Sequence, residues 1–124
     1  MALPTFIVED NPVVLQGVTE ALDDFVSVDW LGQAAGAIEA IVWLQANPSE
    51  WRLLIVDLFL VDGSGLDVVA SCCGRSACQH VVVLTNYATS DIRRRALELG
   101  ADAVFDKSTE IEEMLEFCVE LAES

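Results

Sequence analysis

Five short aliphatic blocks recur along this chain, and each leads into a stretch whose apolar residues keep helical spacing. The blocks are Phe6-Ile7-Val8, Val26 to Leu31, Leu53 to Val56, Val81 to Leu84 and Ala103 to Phe105. All but the second, which alternates around Asp29, are unbroken. A strand with one wet face alternates, whereas a strand covered on both faces does not, so these runs predict a parallel sheet between two helical layers. Strands strictly alternating with helices make a doubly wound α/β domain.

The helix ends are legible too. Asn11-Pro12 offers an N-cap and a proline at the first helical position, and Val14, Val18, Leu22 and Phe25 then share a face. A second helix is expected to turn Ile38, Ile41, Val42 and Gln45 inward and to stop before Asn47-Pro48. The third spans Leu66 to Gly74. The fourth starts at Thr89-Ser90, turns in Ile92, Ala96 and Leu99, and closes on Gly100. Thr109 to Glu112 reads as a capping box ahead of a stripe of Ile111, Met114, Leu115, Cys118 and Ala122.

No repeat or linker divides the 124 residues, so residues 1–124 are read as one domain with one core. The longest apolar run, Leu53 to Val61, contains Asp57 and falls short of the ~20 residues of a membrane span. No basic segment precedes the apolar start, so a cytoplasmic protein without membrane contact is expected. Twenty-one acids against six bases give a net charge of −15, and Lys107 is the only lysine. Nucleic-acid backbones attract clustered Lys and Arg, so direct nucleic-acid binding is not expected of this chain. Cations and basic partner surfaces suit it better.

Open parallel sheets bind ligands beyond the carboxyl ends of their strands. Strand one ends in Glu9-Asp10, strand three in Asp57, strand four in Thr85, and strand five runs to Lys107. Asp57 stands between Val56 and Leu58-Phe59-Leu60, where a buried charge is costly unless paired or bound to metal. Converging carboxylates repel, and a divalent cation with oxygen ligands relieves them; Mg2+ suits because it keeps waters for a phosphate. An aspartate left partly free can then attack phosphorus, with the metal and a lysine neutralising the equatorial oxygens.

Glu9-Asp10 after FIV, Asp57 in LLIVDLFLVDGSGLD, Thr85 in VVVLTN and Lys107 in GADAVFDKS resemble the receiver domain of two-component response regulators, over about Thr5 to Leu121. The resemblance implies a flavodoxin-like (βα)5 fold with strand order 2-1-3-4-5. It implies a phosphoprotein rather than an enzyme, catalysing only its own phosphorylation and dephosphorylation. Asp57 would take a phosphoryl group from the phosphohistidine of a sensor histidine kinase or histidine phosphotransfer protein. Glu9, Asp10, Asp57 and the Phe59 carbonyl would hold Mg2+, Thr85 and Lys107 would bind the phosphoryl oxygens, and Gly65 would make the tight turn into the third helix. Phe59 and Tyr87 would flank the path of the hydrolytic water and, being bulky, slow dephosphorylation.

Members of the family often carry proline where Val61 and Ser108 stand, and many carry an aromatic where Val104 stands, with Phe105 next to it here. A looser loop after Asp57, an open cis or trans choice at Lys107-Ser108 and an altered switch behind Thr85 follow. The output surface implied is helix 4, strand 5 and helix 5. Arg93-Arg94-Arg95 lies there, opposite Glu112, Glu113 and Glu116, and would serve a homodimer or an acidic output partner. The alternatives are the receiver part of a longer DNA-binding regulator, although nothing after Ser124 is available here to bind DNA, and an aspartyl-nucleophile phosphatase, for which Phe59 replaces the required second acid. Cys72, Cys73, Cys78 and His80 match no zinc spacing and read as thiols packed like small hydrophobes and a surface histidine.

Overall fold

The computed structural model describes residues 2–124. In chain order its elements are β1 (Leu3–Val8), α1 (Pro12–Phe25), β2 (Val28–Ala34), α2 (Ala37–Ala46), β3 (Leu53–Val56), β4 (Phe59–Leu60), β5 (Gly63–Ser64), α3 (Gly65–Ser71), β6 (His80–Thr85), α4 (Ser90–Glu98), β7 (Ala103–Asp106) and α5 (Ile111–Glu123). Five of the strands form one parallel sheet, in the order β2-β1-β3-β6-β7. Counting only these, the order is 2-1-3-4-5, the flavodoxin-like arrangement. β4 and β5 form a small antiparallel hairpin of their own, an element the sequence pattern did not announce. No helix among the described residues is long and apolar enough to cross a membrane.

Alternation along the central strands sorts their side chains into two cores, because successive residues point to opposite faces. Phe6, Val8, Leu54, Val56, Val81 and Val83 pack under α2, α3 and α4, against Leu44, Val68 and Ala96. Leu3, Ile7, Leu53, Ile55, Val82 and Leu84 pack under α1 and α5, against Val18, Leu22, Met114 and Cys118. The switch in strand order between β1 and β3 leaves a crevice at their carboxyl ends.

Several local expectations change. α2 turns Ala37, Ala40 and Leu44 inward and leaves Ile38 and Val42 in water. Its sequence is apolar almost all round, so periodicity could not set the phase; the small alanines let the helix approach the sheet, and Trp43 stacks on Phe6 at 4.1 Å. Phe25 and Leu99 are exposed as well, with Val26 and Ala101 filling the core beside them. α3 runs Gly65–Ser71, capped by the Ser64 hydroxyl, which accepts from Leu66 N–H. The capping box before α5 does not form: Glu110 occupies the cap position without capping, and Asp106 organises the turn by accepting from Ser108 and Thr109 N–H. There is no cis peptide among the described residues, so Lys107-Ser108 is trans. Cys72 and Cys118 are buried, Cys73 and Cys78 are exposed, and all four are free. His80 is half-buried instead of on the surface, with Nδ1 unpartnered and its ring edge-on to Phe117.

Candidate functional site

The carboxyl edge of the sheet gathers the chain's polar residues because each strand stops there. The last rungs are backbone bonds: Glu9 N–H donates to Ala34 O, Asp57 N–H to Val8 O, and Lys107 N–H to Thr85 O, each at 2.9 Å. Glu9, Asp57 and Thr85 are buried at this edge, and Asp10 and Lys107 are half-buried. One carboxylate oxygen from each of Glu9, Asp10 and Asp57 lies within 4.8 Å of the others, the one such grouping of potential metal ligands among the described residues. The cysteines and His80 are not brought together in this way.

Lys107 reaches across the cluster. Its Nζ lies 2.7 Å from Glu9 Oε1 and 3.2 Å from Asp57 Oδ2, with its side chain only 11% exposed. Burial pushes the Glu9 carboxyl above its usual value, against the lowering pull of Lys107 and of the Asn11 N–H that donates to Oε2 at 3.1 Å. Three carboxylates against one ammonium leave uncompensated negative charge in a partly dry site. Oxygen donors at this spacing fit Mg2+, whose ligands sit ~2.1 Å from the ion and hence ~4.2 Å apart across it. The residues present therefore match the metal that the fold family implies.

Above the carboxylates is an open cleft of about 210 Å3, lined also by Asn11, Val14, Phe59, Asn86 and Tyr87. The Phe59 and Tyr87 rings meet edge-on with centroids 4.8 Å apart, and both are more than half exposed. Thr85 Oγ1 accepts from Tyr87 N–H at 3.1 Å, which leaves its hydroxyl proton available to another acceptor. Gly65 is needed for close approach rather than for a special turn. A Cβ there would lie 2.1 Å from the Asp57 carbonyl oxygen.

The remaining sequence-selected residues lie away from the cluster. Val104 is buried in the core beneath α4, while Phe105 points to the opposite core and meets Phe117 edge-on. The three arginines do not form one free patch. Arg93 donates to Ala88 O, Val104 O and Glu110, whereas Arg94 pairs along its own helix with Asp91 and Glu98. Glu110 is held below the usual carboxylate range, chiefly by Arg93. Sequence reasoning passed over Asn86, Glu110 and Asp62; the last two act across long sequence separations and carry no periodic signal.

A family model described as the response regulator receiver domain matches residues 5–118. Among curated proteins, the DNA-binding transcriptional activator DevR/DosR of Mycobacterium tuberculosis is 26% identical over 96 residues, covering 77% of this chain and 43% of that protein. The chain spans about half the length of the curated relatives it matches. Among solved structures, a response regulator from Burkholderia pseudomallei, described with a phosphorylated aspartic acid, a calcium ion and citrate, is 26% identical at a TM-score of 0.76, over 91% of this chain and 64% of that one. A two-component response regulator of the LuxR family from Aurantimonas shares the fold at a TM-score of 0.84 and 20% identity, over 99% and 87% of the two chains.

Proposed function

Because this chain belongs to the response regulator receiver domain family, we propose that it accepts a phosphoryl group on Asp57 from the phosphohistidine of a sensor histidine kinase or phosphotransfer protein, and signals from the cytoplasm by changing shape. Receiver domains are signalling domains, and the chemistry here is confined to the domain's own aspartate. The observation that carries the reading is Asp57 at the end of β3, buried beside two further carboxylates and within 3.2 Å of the only lysine.

In this reading an Asp57 carboxylate oxygen attacks the phosphorus of the phosphoimidazole. The O–P bond forms as the N–P bond breaks, and the imidazole leaves with the bond's electron pair. Glu9, Asp10, Asp57 and the Phe59 carbonyl would hold Mg2+, which would supply positive charge against the phosphoryl oxygens. Lys107 exchanges its carboxylate partner for a phosphoryl oxygen, and the Thr85 hydroxyl donates to another. Each of the two begins a segment that leads to the α4–β7–α5 face. Thr85 leads to Ala88 and Lys107 to Glu110, and Arg93 bonds both. That face, with Arg94 and Arg95 exposed on it and the switch positions Val104 and Phe105 packed behind it, is the output surface we assign to a protein partner or a second copy.

Phosphoprotein mass analysis after acetyl phosphate and Mg2+ tests this. One added phosphoryl group is expected, mapping to Asp57, and none in Asp57→Asn, whose fold stays intact because shape is kept and repulsion falls. Equal labelling of the Asn variant overturns the assignment. Coverage of 43% of a relative described as a DNA-binding transcriptional activator favours a second reading of the same chemistry, in which the domain controls an attached DNA-binding module; the full length of the encoding gene decides between them.

A further inference from the structure

The hairpin that follows Asp57 is fastened at its tip to the start of α2. α2 begins at a glycine, Gly36, which has no side chain to accept from the first amides. Asp62, at the hairpin tip, supplies the acceptor. Ala37 N–H donates to its Oδ1 at 2.6 Å and Ile38 N–H to its Oδ2 at 3.3 Å. A carboxylate gripping two amides at the positive end of a helix is a charge-assisted contact, stronger than a neutral one. The bare Gly36 is part of the fit, since a Cβ there would lie 2.6 Å from Asp62 Oδ1.

The hairpin needs this anchor. It has only two residue pairs, Phe59 with Ser64 and Leu60 with Gly63, and isolated two-stranded hairpins are marginal in water. Val61 provides none of the stiffness of a proline. At the hairpin's root, Gly65 N–H donates to Leu58 O at 2.8 Å. Phe59, its first residue, lines the acidic cleft.

We propose that Asp62 is a positioning residue for the phosphoryl site: seated on the start of α2, it holds the hairpin so that the Phe59 backbone stays beside the Glu9, Asp10 and Asp57 carboxylates. The proposal rests on the reading of that cluster as a Mg2+ site.

Isothermal titration of the full chain with MgCl2, alongside amide hydrogen exchange of residues 59–64 and thermal melts, tests it. Asp62→Ala is expected to weaken Mg2+ binding roughly tenfold, the low end for residues supporting metal ligands, and to speed hairpin exchange. Asp62→Asn drops the charge but keeps an accepting oxygen, so its affinity is expected within about twofold of wild type. Gly36→Ala keeps the charge but pushes the carboxylate off its seat, and is expected to weaken binding as Asp62→Ala does. If Asn weakens binding as much as Ala, long-range charge is the cause and the latch is wrong. If Asp62→Ala and Gly36→Ala lower only the melting temperature, Asp62 is a helix cap and nothing more. A wild-type chain that binds no Mg2+ overturns the site reading itself, a separate failure visible before any variant is compared.

Discussion

Gly65→Ala reports directly on how the turn after Asp57, the proposed phosphoacceptor, is packed. The added Cβ would lie 2.1 Å from the Asp57 carbonyl oxygen and 2.9 Å from Leu58 Cα. Ordinary van der Waals contact begins at 3.4 Å, so the backbone must part by more than an ångström, and neither partner is a flexible side-chain end. Asp57 cannot yield freely, because its N–H closes the β1–β3 ladder on Val8 O. Overpacking of this kind costs ~3 kcal/mol, the upper part of its usual range. At ~4 °C per kcal/mol for a chain of this size, the melting temperature is expected to fall by ~12 °C. Displacing the attacking carboxylate by ~1 Å is expected to slow acetyl phosphate labelling by about a hundredfold. Gly17→Ala is the matched control. Nothing lies within 4 Å of a Cβ at that mid-helix position, so alanine there is expected to stabilise by roughly 0.5–1 kcal/mol. Circular dichroism melts and timed phosphate incorporation on both variants decide. A Gly65→Ala chain that melts within ~2 °C of wild type and labels at its rate refutes the reasoning.

Two further outcomes follow from named contacts. In the proposed reading the edge-on Phe59 and Tyr87 rings flank the path of an in-line water, so Phe59→Asn with Tyr87→Glu is expected to speed loss of the phosphoryl group at least tenfold, a barrier change of ~1.4 kcal/mol; decay no faster than wild type rejects the shielding. Glu110 has its carboxyl lowered by Arg93, so its charged form adds stability above the ordinary glutamate range, and that stability is lost as pH falls through the depressed folded value. Glu110→Gln is therefore expected to melt lower than wild type at pH 7 and to converge on it in acid, and a gap that persists unchanged to pH 3 contradicts this.

Much of the site is readable in one dimension because a parallel sheet converts strand ends into neighbours. Once Leu53 to Val56 and Phe6 to Val8 are recognised as covered strands, Asp57, Glu9 and Asp10 must emerge at one edge, whatever the loops do. The chain's lone lysine and Thr85 emerge there for the same reason. The helix faces were less readable. α1 and α5 have a polar side that fixes their phase, whereas α2, reading AIEAIVWLQA, has almost none: of the expected stripe only Ile41 packs against the core, while Ile38, Val42 and Gln45 face water.

By itself, then, the sequence determined the layer architecture, the strand and helix order, and the carboxylate-rich edge, since period, β-branching and caps act within a few residues. Only the tertiary structure decided that Gly65 is demanded by the Asp57 carbonyl, that Arg93 bolts the Ala88 turn to Glu110, and that Asp62 caps a helix 25 residues before it. These depend on the relative placement of segments remote along the chain. No local pattern encodes that placement, because it exists only after two cores have closed around the sheet.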